Sequence, residues 1–223
     1  MLCIIQARMS SKRLKGKVLM KLNDEPILGL IIRRLKNTNI SKKKIIVATS
    51  SHYSDLPIIN YCKKKKINFY KGNLNNVASR FFNVLKKKKT KFFLRISGDS
   101  PFIDPKVIQY IINFTKKRKF DVYTNVFPRT FPKGQSIEII NKNIYMNYYS
   151  KIKLKSQKEH ITKFFYDNSK LFKIKNFFNK KNYSKKNMSV DTRSDFKKAS
   201  KAIKNISYKK FESLSWNKIL ERY

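Results

Sequence analysis

The chain has 223 residues, 41% of them hydrophobic, which suffices for one sizeable core and is short for two. No apolar run approaches the roughly 18–20 residues of a membrane span, and the only two cysteines, Cys3 and Cys62, lack metal-type spacing. Fifty-three Lys and Arg against 13 Asp and Glu give a net charge of +40, spread along the whole chain in runs such as residues 63–66 and 86–89 rather than gathered in one arm.

Residues 2–5 form an apolar run short enough for a buried strand. The loop behind it carries Arg8, Ser10, Ser11, Lys12, Arg13, Lys15, Gly16 and Lys17. Cations, hydroxyls and a late glycine after a first strand point to a site for several phosphates. Backbone N–H groups and hydroxyls donate to phosphate oxygens, and the cations offset their charge. The spacing is not that of a Walker loop, and a solvated basic loop stays open as the plain alternative.

Residues 18–22 are a short apolar stretch, 23–25 a turn, and Pro26 suits the first turn of a helix with Ile27, Leu28, Leu30, Ile31, Ile32 and Leu35 on its apolar face. Strands are predicted at 44–49, 68–70 and 92–96, and helices at 55–65 and 75–88. Asp104 and Pro105 form an N-cap and first-turn pair for the next helix. This alternation predicts an α/β fold with a mainly parallel sheet flanked by helices. Ligands of such sheets sit beyond the carboxyl ends of the strands, where both the basic loop and the Gly98-Asp99 turn fall.

Past Asp121 the pattern weakens. Residues 121–125 read as a strand, 127–134 as a loop, 136–140 as an antiparallel strand and 172–178 as an edge strand. Ser156 and Glu159 have capping-box spacing for a helix to about residue 168. Residues 188–190 read as a short strand, and Thr192 with Asp195 has capping spacing for a last long helix. No repeat or flexible linker is visible, so residues 1–223 are taken as a single domain.

Asp99 at a strand end is a candidate Mg²⁺ ligand, since Mg²⁺ takes one or two carboxylates and completes its shell with phosphate oxygens and water. A loop aspartate holding backbone N–H groups is the alternative. Asp191 has the same kind of position, with a cap or salt bridge as its alternative.

The wording of the chain is more specific than its chemistry. Gln6-Ala-Arg-Met-Ser-Ser-Lys-Arg-Leu-Lys-Gly-Lys17 resembles the opening QARMGSTRLPGK of the cytidylyltransferases that make CMP-activated sugars. The nearest type is the spore-coat polysaccharide (SpsF) one; CMP-Kdo and CMP-acylneuraminate synthetases are more distant. Arg95-Ile-Ser-Gly-Asp-Ser-Pro-Phe-Ile-Asp104 resembles the family's R-x-[ST]-G-D-x-P-x-I-D, and Val190-Asp-Thr-Arg-Ser-Asp195 its [LIV]-D-T-P-E-D. Asp121-Val-Tyr-Thr-Asn125, with Gly134 and Glu138, resembles the D-Y-V-S-N…P-x-G-x-x-x-E region. Glu159-His-Ile-Thr162 resembles E-H-V-T, and Val77-Ala-Ser-Arg80 resembles D-V-L-x-R.

The resemblance implies a GT-A-like nucleotidyltransferase fold whose antiparallel extension is C-terminal, and a CTP-dependent transfer to a sugar. Mg²⁺ would sit on Asp99 and Asp191. Ala7, Arg8, Ser11, Arg13, Lys17, Arg80, Ser97 and Gly98 would hold the nucleotide, with Arg8, Lys17 and Asp99 catalytic. Asn125, Gly134, Glu138 and His160 would face the sugar. For His160 a helix histidine packed on the sheet stays open, and for Arg80 a surface arginine. Ser10 replaces a glycine of the pattern, Lys15 a proline, Asn76 an acidic residue and Ser136 an aspartate, so a catalytically degenerate homologue is an alternative. A sugar-1-phosphate nucleotidyltransferase is another.

The charge fits a nucleic-acid or acidic-membrane partner. Its dispersal, with abundant Lys, Asn, Ile, Phe and Tyr, favours codon bias; weak nonspecific adhesion to polyanions follows either way. Two free thiols and no signal-peptide pattern lead to the expectation of a cytoplasmic protein, with a homodimer possible.

Overall fold

The computed structural model describes residues 1–223. Leu2–Gln6 forms β1. A single 3-10 turn over Lys17–Leu19 leads into the hairpin of β2 (Lys21–Leu22) and β3 (Glu25–Pro26). Its turn places Asn23 and Asp24 at φ 47° and 61°, left-handed positions that these short polar residues tolerate. Pro26 is the cap of α1 (Ile27–Leu35), one position before the first turn expected for it. Ile45–Ser50 (β4), Leu56–Lys64 (α2), Asn68–Gly72 (β5), Val77–Lys86 (α3) and Phe92–Ser97 (β6) complete the alternating half. In α4 (Pro105–Lys117) the Asp104 carboxylate caps Lys106 N–H and Pro105 takes the first position, as the sequence predicts.

β7 (Val122–Thr124) and β8 (Glu138–Asn141) follow, then α5 (Lys142–Tyr148), α6 (Lys155–Glu159), α7 (Lys163–Asp167) and β9 (Ile174–Asn176). The chain ends with α8 (Arg193–Ile203), α9 (Tyr208–Ser213) and α10 (Trp216–Leu220). One sheet runs β5-β4-β1-β6-β8-β7-β9. Every pairing is parallel except the two made by β8, which is antiparallel to both β6 and β7. β9 is an edge strand, as its alternation predicts.

The period of two along the strands divides the core between the faces. Cys3, Ile5, Val47, Leu94 and Ile96 pack with α1, α2, α4 and α8–α10. Leu2, Ile4, Ile46, Ala48 and Phe93 pack with α3, α5 and α7. Each such fully buried side chain contributes about 1.5–3 kcal/mol relative to exposure.

Three expectations are corrected. The helix predicted from Ser156 to about residue 168 is two short helices, α6 and α7. Its capping box does not form, because the helix starts at Lys155, with Leu154 as its cap and Ser156 inside the first turn; Glu159 pairs with Arg8. Residues 188–190 do not form a strand; Met188 N–H bonds singly to Lys133 C=O and Val190 N–H to Asp99 C=O. The last long helix is three helices, α8, α9 and α10; only α8 has the predicted Thr192–Asp195 capping box.

This helical tail is fastened to the loop that carries Asp99. The fully buried Arg34 donates to the carbonyls of Ile103, Phe211 and Leu214. Burial brings its guanidinium down to about 10, and the nearby Asp104 only partly opposes this. Asp104 also accepts from Trp216 N–H at 2.8 Å. No helix is long and apolar enough to cross a membrane.

Candidate active site

The basic loop is folded on two backbone hinges. Met9 C=O accepts from Ser11 and Gly16 N–H, both at 2.9 Å, and Gly16 sits at φ 70°. Met9 N–H donates to Asp55 Oδ1 at 2.7 Å, while Asp55 Oδ2 accepts from Thr49, Ser50 N–H and the Ser50 hydroxyl. Asp55 is fully buried. It therefore welds the end of β4 to the start of the loop, a role that its place before a helix did not reveal. At the end of β6, a side chain on Gly98 would put its Cβ 2.7 Å from Gln6 O. Glycine there lets the Asp99 turn close against the end of β1.

Between these strand ends lies a cleft of about 530 Å³. Ala7, Arg8, Ser11, Arg13, Lys17, Arg80, Ser97, Gly98, Asp99, His160 and Asp191 all line it, joined by Lys12, Arg95 and Glu159. The parallel topology explains the convergence, because β1 and β6 are neighbours and open on the same side. Arg8 pairs with Glu159 at 2.6 Å. Arg13 reaches Asp191 at 2.9 Å. The Lys17 ammonium lies 2.7 Å from Asp191 Oδ1 and 3.3 Å from Asp99 Oδ2.

Burial pushes the Asp99 carboxyl up, but Lys17, the Ser97 and Ser100 hydroxyls and Arg95 together hold it below its ordinary value. Asp99 is thus an anion at neutral pH. The Asp99 and Asp191 oxygens each touch one ammonium, so they lie no farther apart than the sum of those two contacts. That falls inside the roughly 4–7 Å over which two carboxylates can share one Mg²⁺ directly or through water. The donors are hard oxygens and no third Cys, His or carboxylate joins them, which suits Mg²⁺ completed by phosphate oxygens and water and not zinc.

Arg80 is not a surface arginine. It is 1% exposed, forms part of the cleft floor and donates to the carbonyls of Asn73 and Leu74. Burial lowers it to about 10; Asp55 opposes that and Arg8 adds to it. His160 is exposed at the end of α6 and not packed on the sheet.

A second cavity of about 340 Å³ adjoins the first and shares Arg95 and His160 with it. Arg129, Ser136, Glu138, Thr162, Lys163 and Tyr166 line it. Glu138 accepts from Arg95 and from Tyr166, each at 2.8 Å, and Arg95 also donates to Gln6 Oε1 at 3.0 Å. Ser136, where the pattern has an aspartate, accepts from Arg129 at 3.0 Å.

Asn125 and Gly134 line neither cavity. Asn125 is fully buried; it donates to Gln135 C=O and accepts from Ile137 N–H. Gly134, at φ 90°, has Met188 and Ser189 backbone atoms where a Cβ would stand. Their side-chain and backbone contacts are therefore internal to the fold, while Glu138 and His160, the other two residues expected to face the sugar, do line the second cavity. Arg95 and Glu159 were missed as site residues although both lie in the quoted motifs. Their signal was adjacency to Asp99 and His160, but only the fold shows that they face the cleft.

Residues 2–222 match the family model described as Cytidylyltransferase. The chain is 35% identical over 199 residues to an uncharacterized protein of Methanocaldococcus jannaschii, covering 87% of this chain and 79% of the relative. It is 29% identical over 177 residues to the spore coat polysaccharide biosynthesis protein SpsF of Bacillus subtilis, covering 78% and 72%. The structure of a cytidylyltransferase from Leptospira borgpetersenii serovar Hardjo-bovis superposes with a TM-score of 0.91 at 27% identity, over 99% of this chain and 92% of that one.

Proposed function

The chain belongs to the cytidylyltransferase family of nucleotidyltransferase enzymes, and from that premise we propose that it makes a CMP-sugar and pyrophosphate from CTP and a sugar acid. The observation that carries this reading is the meeting of Asp99 and Asp191 on one cation at the edge of a cation-lined cleft.

The acceptor hydroxyl oxygen forms a bond to the α-phosphorus as the α–β bridging bond breaks and pyrophosphate leaves. In such a transfer the protein mainly positions groups and offsets charge. Arg8, Arg13 and Lys17 bind the triphosphate, with the Ser11 hydroxyl as a further donor. The tight Gln6–Gly98 contact, at 2.9 Å between O and N, holds the end of β6 against the end of β1 beneath the nucleotide. Asp99 and Asp191 would hold Mg²⁺, which supplies positive charge against the α-phosphate oxygens. Arg95, Arg129 and Lys163 in the second cavity favour an anionic acceptor, and the sharing of Arg95 and His160 by the two cavities would let its hydroxyl approach the α-phosphate. The likeness to SpsF favours a role in surface polysaccharide or glycan synthesis.

A pyrophosphate-release screen of four nucleoside triphosphates against a panel of sugar acids tests this. Release is expected with CTP alone and only with Mg²⁺. Release with UTP or GTP and a sugar 1-phosphate would replace the reading. CTP binding without release for any acceptor would mark a degenerate homologue.

A further inference from the structure

Lys17 stands on the two oxygens that a divalent metal would need. Its ammonium contacts both Asp191, at 2.7 Å, and Asp99, at 3.3 Å. It is the one cation paired with both carboxylates; Arg13 pairs with Asp191 alone. The Lys17 side chain is 12% exposed against 65% for Arg13, so its contacts are shielded from water. Mg²⁺ takes oxygen ligands at about 2.0–2.1 Å. An ammonium and a divalent ion cannot share the same pair of oxygens, on grounds of both volume and charge.

The backbone of Lys17 is not free to retreat. Gly16 N–H is bonded to Met9 C=O, Leu19 N–H to Gly16 C=O, and Met20 N–H to Lys17 C=O. Val18 beside it is buried. The four-carbon stem, by contrast, has rotamers to spare and a compact charge that suits phosphate. The ammonium can therefore change partners by rotation of the side chain alone, within a cleft already lined by Arg8, Lys12 and Arg13.

We propose that Lys17 is an internal counter-cation that bars divalent metal from Asp99 and Asp191 until a polyphosphate draws its ammonium away. This rests on the reading of the two aspartates as the metal pair. Metal and nucleotide then enter as a coupled unit. By linkage, whatever factor the nucleotide adds to metal affinity, the metal adds to nucleotide affinity. A nucleotide-free molecule does not hold metal where it could not be used.

Mn²⁺ binding to the full chain without nucleotide, read from the electron paramagnetic resonance signal of the free ion, tests the proposal. Lys17→Met is expected to bind one Mn²⁺ at least about tenfold more tightly than the unaltered protein, within the usual range of coupling between sites. Lys17→Arg, which keeps the charge, is expected to resemble the unaltered protein. Lys12→Met removes a cleft cation paired with neither carboxylate and is expected to gain less than about threefold. Adding Asp99→Asn to Lys17→Met is expected to abolish the gain. Thermal unfolding checks each variant, and Lys17→Gln replaces Lys17→Met if the latter does not fold. Equal Mn²⁺ affinity in Lys17→Met and the unaltered protein overturns the proposal, and so does an equal gain in Lys12→Met. CTP binding is measured separately by calorimetry. A protein that ignores CTP but shows the Lys17→Met gain retains the counter-cation and loses the cytidylyltransferase chemistry instead.

Discussion

In the larger cleft the Arg8–Glu159 pair and Arg13 stand in the open, with side chains 33%, 41% and 65% exposed, whereas Lys17 is shielded at 12%. In the adjoining cavity the Arg95 and Glu138 side chains are 11% and 4% exposed, and each has a further partner, Gln6 for one and Tyr166 for the other. Exposed pairs contribute about 0–1 kcal/mol, so they exchange partners at little cost when phosphate arrives. A buried charge that loses its partner is stranded. The difference teaches how one molecule handles two ligands. Under the proposed reading the triphosphate would meet the exchangeable pairs of Arg8 and Arg13, and the acceptor a wall in which Arg95 and Glu138 are committed to each other while Arg129 is paired with no carboxylate.

The largest effect that can sharpen this contrast is on turnover. Asp99→Asn and Asp191→Asn are each expected to lower kcat roughly a thousandfold, about 4 kcal/mol of transition-state stabilisation, with the fold intact. Steady-state pyrophosphate release and circular dichroism measure the two sides. Loss of less than tenfold in both variants would remove the aspartate pair from the mechanism.

Stability separates the two regions next. Glu138→Gln leaves Arg95 charged and under-partnered in a buried place, and is expected to cost about 3 kcal/mol in urea unfolding. Glu159→Gln breaks the Arg8 pair in the open cleft and is expected to cost under about 1 kcal/mol. Equal losses would erase the distinction between committed and exchangeable charges.

The smallest effect is on nucleotide affinity. Arg13→Ala is expected to weaken CTP by about 1.5 kcal/mol and CMP by much less, without change in melting temperature. Titration calorimetry with both nucleotides checks it. If CMP and CTP weaken alike, Arg13 does not face the outer phosphates.

Much of the first half was legible because its signals are local. Residues 92–96 are apolar except for Arg95, so they read as a buried strand without knowledge of the partners, and β6 lies in the middle of the sheet. Asp104-Pro105 and Thr192…Asp195 act within one helical turn, and both caps formed. Ser156…Glu159 has the same spacing and failed, because the helix begins at Lys155 and leaves Ser156 inside its first turn, while Arg8, far away in the chain, pairs with Glu159. Gly134 shows a different limit: its place in a motif says nothing of the Met188 and Ser189 backbone that fills the space its missing side chain leaves.

By itself the sequence determined the elements of the alternating first half, the period that sends alternate strand residues to opposite faces, and the set of charged and hydroxyl groups available to a polyphosphate. These follow from propensities and spacings that need only neighbours along the chain. The tertiary structure alone decided which of those groups face each other. Lys17 lies between Asp99 and Asp191 because β1 and β6 pair in parallel register and Val190 N–H is tied to Asp99 C=O. Asp55 holds the basic loop because β4 is the other neighbour of β1. Such contacts join residues far apart in the chain, and their energies exist only once the sheet has fixed the distances.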